Sequence, residues 1–364
     1  MEASNPQKSA LTVNEGIAQP EQLNQSAIER LKAVKKKPLA AQAYVDGILL
    51  GDMVLLSQAI TLAESSLAEH QELAQQIIGQ CLPHTGKATR LGITGVPGAG
   101  KSTFIEALGM HLVNQGHKLA VLAIDPSSQR SKGSILGDKT RMEMLANHPS
   151  AYIRPSASSG TLGGVARKTR ESIILCEAAG FDTIFVETVG VGQSETAVHA
   201  MVDFFLLLLI SGAGDELQGI KRGIMEMADG IAVNKADGDN IHKANRAKAE
   251  CENALHLFPL AESGVKPLVM TCSAITGSNI DAVWKMVTDF IDHTSKNGYL
   301  EEKRKNQAVQ VMHETIEETL RNHFYQHELI QNLLSDTQEK VRSQQLTAYV
   351  GAQQLLESYF NRKA

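Results

Sequence analysis

The sequence predicts an α/β protein with a mostly parallel sheet, preceded by a helical extension and followed by a helical arm. Three observations carry this. Between residues 90 and 294, short apolar runs alternate with helical stretches, as in βαβ units. A glycine-rich turn joins the first run to a helical pattern. Helical apolar stripes without strand-like runs lie on either side of this region.

Residues 1–26 are polar and lack sustained periodicity, which predicts a mobile tail. Residues 27–86 form the expected N-terminal helical extension. There Leu49, Val54, Leu55, Ile60 and Leu62 recur at near-helical spacing, and Asp52 after Gly51 is a candidate N-cap. His84-Thr85-Gly86 is a short linker. The sheet-bearing domain is expected over 87–295, with strands at Leu91–Thr94, Leu119–Ile124, Ala151–Ile153, Thr183–Val186, Phe204–Ile210, Ile231–Val233 and Leu268–Thr271. Ligands of such sheets bind beyond the carboxyl ends of the strands. Residues 296–364 form the expected C-terminal arm. Val309, Met312, Ile316, Leu320 and Phe324 make one stripe, and Leu346, Tyr349, Val350, Leu355, Leu356 and Phe360 another, which predicts an antiparallel helical pair.

Composition narrows the functional class. The 364 residues are 43% apolar and 21% charged, enough for a sizeable core. A net charge of −5 offers no basic face for nucleic acid. The N-terminus carries early acidic residues and no arginine before Arg30, unlike a secretory or transit signal. Phe204–Ile210 is too short to span a membrane and reads as a strand buried on both faces. Cys81, Cys176, Cys251 and Cys272 lie far apart, so buried reduced thiols in a cytoplasmic protein are expected. The 12 histidines are scattered and show no metal-binding spacing.

Gly95-Val96-Pro97-Gly98-Ala99-Gly100-Lys101-Ser102 matches G-x-x-x-x-G-K-[ST], with a strand before it and a helix over Phe104–Gly116 after it. The glycines let successive backbone N–H groups point at a β-phosphate at a helix N-terminus, and Thr103 ends the candidate GTP-binding run. Lys101 supplies a point charge to the β and γ oxygens, and Ser102 supplies a hydroxyl ligand for Mg²⁺. Asn234-Lys235-Ala236-Asp237 follows the strand Ile231–Val233. The Asp237 carboxylate can accept from guanine N1 and N2, donors that adenine lacks, while Asn234 supports the base edge and the Lys235 stem packs over the ring. Cys272-Ser273-Ala274, with Ile275 next in the chain, follows Leu268–Thr271 and is a candidate contact for guanine O6. The expected substrate is GTP, with GDP as product.

Asp125, Asp138 and Glu187 are the candidate carboxylates near the metal. Mg²⁺ keeps several waters, so most of them would act through water; Asp138 also suits a helix N-cap. Lys101, Glu187, Gly190 and Gln193 are the candidate catalytic residues. Glu187–Glu195 stands where P-loop GTPases sense the γ-phosphate, with the Gly190 N–H as the contact. Glu187 replaces the usual aspartate and no glutamine directly follows Gly190. Slow intrinsic hydrolysis, accelerated by a partner, is therefore expected.

Taken together, Gly95–Thr103, Asp125-Pro126-Ser127-Ser128, Gly133–Arg141, Gly163-Gly164-Val165-Ala166, Glu187–Glu195, Gly212–Gly223 and Asn234–Asp237 closely resemble the methylmalonyl-CoA mutase-associated GTPases. That family includes the bacterial mutase chaperone and the human cobalamin-A type protein, and was once labelled an arginine/ornithine transport kinase. The resemblance spans about residues 38–360. It implies a homodimer joined by the C-terminal arm, which gates adenosylcobalamin delivery to methylmalonyl-CoA mutase and protects that enzyme without holding cobalamin permanently. It also implies that Asp125, Asp138 and Glu187 surround magnesium, and that Gly212–Gly223, including Gln218 and Lys221, forms a switch alongside Gly190. Gln129-Arg130-Ser131-Lys132 departs from the family pattern, which has a proline followed by small residues there. Two other readings stay open on the residues alone. A nickel-carrying metallocentre GTPase would be expected to show a His-rich or Cys-x-x-Cys tract, and a kinase would need a phosphoacceptor pocket and usually ATP, against which Asp237 speaks.

Overall fold

A computed structural model describes residues 39–124, 142–155, 162–188, 194–211 and 222–360. The expected tail, Asp125, Asp138, Gly190, Gln193, Gln218 and Lys221 lie outside the described residues. The described residues from Ala41 onward group as one compact unit.

All the expected apolar runs are strands: β1 (Thr89–Gly95), β2 (Leu119–Ile124), β3 (Ala151–Arg154), β4 (Thr183–Thr188), β5 (Phe204–Ile210), β6 (Gly230–Asn234) and β7 (Leu268–Thr271). They form one parallel sheet in the order β3-β2-β4-β1-β5-β6-β7. Continuous apolar runs suit strands covered on both faces, and β2 and β4 are buried along their whole length.

Side chains alternate between the faces with period two. Ala120, Leu122 and Ile124 of β2 and Ile184 and Val186 of β4 face a core shared with three N-terminal helices, α1 (Ala41–Leu49), α2 (Met53–Glu64) and α3 (Ala68–Cys81). Leu119, Val121 and Phe185 face the opposite core, built on α4 (Lys101–Asn114) and, further along the chain, Ile280–Lys296. Asp52 caps α2 as expected, its Oδ1 accepting from Val54 and Leu55 N–H at 2.8 and 3.1 Å.

Among the described residues the α-helices that follow are α5 (Glu143–Ala146), α6 (Leu162–Ala178), α7 (Ser194–His199), α8 (Arg222–Met227), α9 (Ile241–Leu255) and α10 (Ile280–Lys296). Among its described residues the arm then holds three helices rather than the expected pair: α11 (Tyr299–Gln326), α12 (Glu328–Arg342) and α13 (Ala348–Phe360). The added helix, α12, packs chiefly on α13 and buries only Ile330. Its apolar stripe is too sparse to stand out before the fold supplies a neighbour.

At 28 residues, α11 extends about 42 Å, and none of its residues is buried. Its first turns are anchored at the amino-terminal edge of the sheet. Arg304 binds both Asp203 oxygens, at 2.8 and 2.6 Å, and donates to the Gly86 and Ala88 carbonyls. Lys303 and Gln307 donate to the Asp203 and Val202 carbonyls at 2.9 Å each. Asp203 is fully buried, so this pairing satisfies a carboxylate that would otherwise be costly to desolvate.

Candidate functional site

Strand order places the site. β1 lies between β4 and β5, and the chain crosses from one side of β1 to the other between those two strands. Loops diverge at such a point, leaving a crevice at the carboxyl ends of the strands. Gly95 ends β1 there and Glu187 lies near the end of β4.

Gly95 has φ +156°, and a Cβ on it would lie 2.3 Å from the Leu208 carbonyl oxygen of β5. Only glycine lets the loop leave the sheet at this point. Gly100, with φ +83°, is immediately N-terminal to α4, and a Cβ there would meet Asn234 Nδ2 at 2.9 Å. Gly98 also has positive φ, at +80°. The loop Gly95–Gly100 thus curls onto the N-terminus of α4, where unpaired N–H groups and the helix dipole favour an anion.

Lys101 Nζ donates to the Gly95 carbonyl at 2.9 Å and more weakly to Val96 at 3.4 Å, which keeps the ammonium inside the curl. Burial lowers its pKa from the ordinary lysine value, while Glu187 and Glu195 pull in the opposite direction. Ser102 Oγ donates to Glu187 Oε1 at 3.4 Å. A hydroxyl and a buried carboxylate therefore converge from α4 and β4, and this all-oxygen donor pair suits Mg²⁺. Just beneath them, Thr188 Oγ1 donates to Thr94 Oγ1 at 2.9 Å, locking the ends of β4 and β1 together. Sequence reasoning missed this pair, whose members are 94 residues apart.

The base-side residues meet the phosphate loop directly. Asn234, buried at the end of β6, donates from Nδ2 to the Ala99 carbonyl at 2.9 Å and accepts at Oδ1 from the Ala274 N–H at 3.1 Å. The Ala274 N–H thus supports Asn234. Ser273, fully buried, donates its hydroxyl to Asp237 Oδ2 at 2.5 Å and accepts from the Thr276 N–H at 3.2 Å. It therefore orients the carboxylate predicted to read guanine. Lys235 is exposed with φ +59°, and Ile275 is 78% exposed. Val96 is partly buried against the cores, while Pro97 is exposed at the turn. Thr103 lies in the first turn of α4 with an exposed side chain. The structure thus brings Gly95–Thr103, Glu187, Asn234–Asp237 and Ser273–Ile275 to one end of the sheet. Glu195, buried at the start of α7, is an addition to the site; its signal was its place at the end of the Glu187–Glu195 segment.

Residues 56–328 match the family model described as methylmalonyl-CoA mutase-associated GTPase MeaB. The chain belongs to this family. As a member of the mutase-associated GTPases it shares 48% identity over 317 residues with a probable GTPase of Mycobacterium tuberculosis, covering 86% of this chain and 94% of that protein. It shares 47% over 307 residues with the GTPase ArgK of Escherichia coli, covering 84% and 93%. The mitochondrial methylmalonic aciduria type A homolog of Mus musculus is 45% identical over 335 residues, covering 88% and 81%. Among solved structures, a LAO/AO transport system kinase superposes with a TM-score of 0.71 at 38% identity, covering 89% of this chain and 99% of that one. The MeaB-family match over the loop, the strands and the base-side residues makes this chain a P-loop GTPase.

Proposed function

We propose that this GTPase is a chaperone for adenosylcobalamin-dependent methylmalonyl-CoA mutase, gating cofactor loading and protecting the loaded enzyme. The observation that carries the reading is the union of a phosphate loop with a guanine-reading loop through Asn234, in a chain of the mutase-associated family. The chaperone does not itself hold cobalamin permanently, and it acts in the cytoplasm. Among the described residues no helix is long and apolar enough to cross a membrane.

The chain's own residues divide the work. The Gly95–Gly100 curl and Lys101 hold the β- and γ-phosphates in line with α4. Asp237, oriented by Ser273, takes the guanine edge, and the Lys235 stem covers the ring. Ser102 and Glu187 would hold Mg²⁺, directly or through water, and the ion when bound neutralises charge on the phosphate oxygens. Asp125 and Asp138 complete the proposed metal surroundings, and Gly190, Gln193, Gln218 and Lys221 the proposed catalytic and switch set.

The arm supports a homodimer. Val309, Met312, Ile316 and Leu320 on α11 are 48–62% exposed, and Tyr349 and Phe360 on α13 are more than 70% exposed. A stripe of this kind fits burial against a second copy.

Co-purification with methylmalonyl-CoA mutase in GDP and in a non-hydrolysable GTP analogue tests the reading. The complex is expected to form and its affinity to depend on the nucleotide. Release of labelled γ-phosphate as inorganic phosphate is also expected; its appearance on arginine, ornithine or a protein would overturn the chaperone reading. Sedimentation equilibrium showing only monomer at micromolar concentration would overturn the dimer.

A further inference from the structure

Asn240 stands at the N-cap of α9, yet its side chain makes no cap bond and its backbone is helical, with φ −85° and ψ −10°. Asparagine is among the preferred N-cap residues because its amide oxygen accepts from the first-turn N–H groups. Here both ends of the amide are used elsewhere. Nδ2 donates to the Lys235 carbonyl at 2.6 Å, and Oδ1 accepts from Ser211 Oγ at 2.7 Å.

The two partners give the arrangement its meaning. Lys235 has φ +59°, a left-handed conformation that L side chains avoid unless the surroundings hold them there. Ser211 directly follows β5, whose last residue, Ile210, pairs with Asn234. The contact from Ser211 through Asn240 to Lys235 therefore continues the β5–β6 ladder by one side-chain link after the strands separate. β5 is also the strand against which the phosphate loop turns, since Gly95 lies on the Leu208 carbonyl.

We propose that Asn240 is a positioning residue for the guanine pocket. It clamps the Lys235 backbone to the carboxyl end of β5, so the lysine stem keeps a fixed plane against the base. Asn240 thereby sets the base contact in register with the phosphate loop, without touching nucleotide itself. The inference rests on the reading of Asn234–Asp237 as the guanine-recognition loop.

Calorimetric titration of the full chain with Mg-GDP and Mg-XDP tests it. Asn240→Ala is expected to weaken GDP binding about tenfold, the effect of losing a well-placed hydrogen-bonded clamp. Ser211→Ala, a milder change that spares the bond to Lys235, is expected to weaken it about twofold to threefold. Lys235→Gly removes both the stem and the left-handed strain. If Asn240 works through Lys235, the double variant should bind GDP no more weakly than Lys235→Gly alone. A merely structural role would instead make the two losses add, and additive losses, or wild-type affinity in Asn240→Ala, would overturn the proposal. Asp237→Asn tests the underlying reading separately, by exchanging guanine for xanthine preference. If that exchange occurs while the Asn240 and Lys235 losses add, only the role of Asn240 falls. If selectivity stays with guanine, the base reading fails and the proposal falls with it.

Discussion

Asn234 donates to the Ala99 carbonyl at 2.9 Å, so the last residue of β6 holds the phosphate loop in place. Its other end accepts from the Ala274 N–H at 3.1 Å, and its side chain is almost wholly buried. Asn234→Ala would leave a buried carbonyl and a partly buried N–H without their partners, at a cost of about 1–3 kcal/mol each. GDP affinity is expected to fall at least about tenfold, with triphosphate and diphosphate affected alike. Titration with GDP and a GTP analogue checks this, and a loss confined to one nucleotide would contradict it.

Gly95→Ala is expected to damage folding and binding together. The added methyl would lie 2.3 Å from the Leu208 carbonyl, in backbone that cannot retreat without parting β1 from β5. Urea unfolding should show a loss of more than about 2 kcal/mol. A variant with wild-type stability and full GDP affinity would show that the loop leaves the sheet by another route.

The anchor of α11 is expected to be a strong stability determinant. Asp203, itself fully buried, accepts two bonds from the partly buried Arg304 and one from the Arg90 N–H at 2.8 Å. Removing one partner of a buried pair costs about 3–5 kcal/mol, because the other charge is left behind. Arg304→Met should therefore destabilise the chain strongly, and Asp203→Asn combined with Arg304→Met substantially less than the sum of the two. Denaturant unfolding of the single and double variants measures the coupling.

Acid should weaken the fold partly through His199. Burial, with a smaller push from Lys303, lowers its pKa from 6.5 to about 4. The folded-state pKa lies below the unfolded one, so the unfolded chain takes the proton first. The histidine's contribution to stability is present above pH 6.5 and is lost as pH falls from there towards 4. Between pH 7 and pH 5 the loss should reach about 2 kcal/mol. His199→Gln should flatten that part of the stability profile, and an unchanged slope would assign the acid sensitivity to other groups.

Local signals were strong wherever a segment's neighbours in space are also its neighbours in sequence. Phe204–Ile210 announced a strand covered on both faces because all its residues are apolar. Asp52 announced a helix start because its carboxylate reaches Val54 and Leu55 within the same turn. Gly95–Ser102 announced a phosphate loop because the curl, the lysine and the hydroxyl come from one short segment. By contrast α12, with Ile330 as its one buried residue, gave too little periodicity to separate it from its neighbours.

By itself the sequence determined the α/β class, the phosphate loop and the Asn234–Asp237 motif, since each rests on period, composition or spacing within a few residues. Tertiary structure alone decided the joining of those parts. Asn234 meets Ala99 across 135 positions, Arg304 meets Asp203 across 101, and Thr188 meets Thr94 across 94. Asn240, at the start of its helix, spends its side chain on Ser211 and Lys235 rather than on a cap. Hydrogen bonds and buried ion pairs are short-ranged and directional, so a polar side chain's partner is settled only when the sheet order brings distant strand ends within about 3 Å.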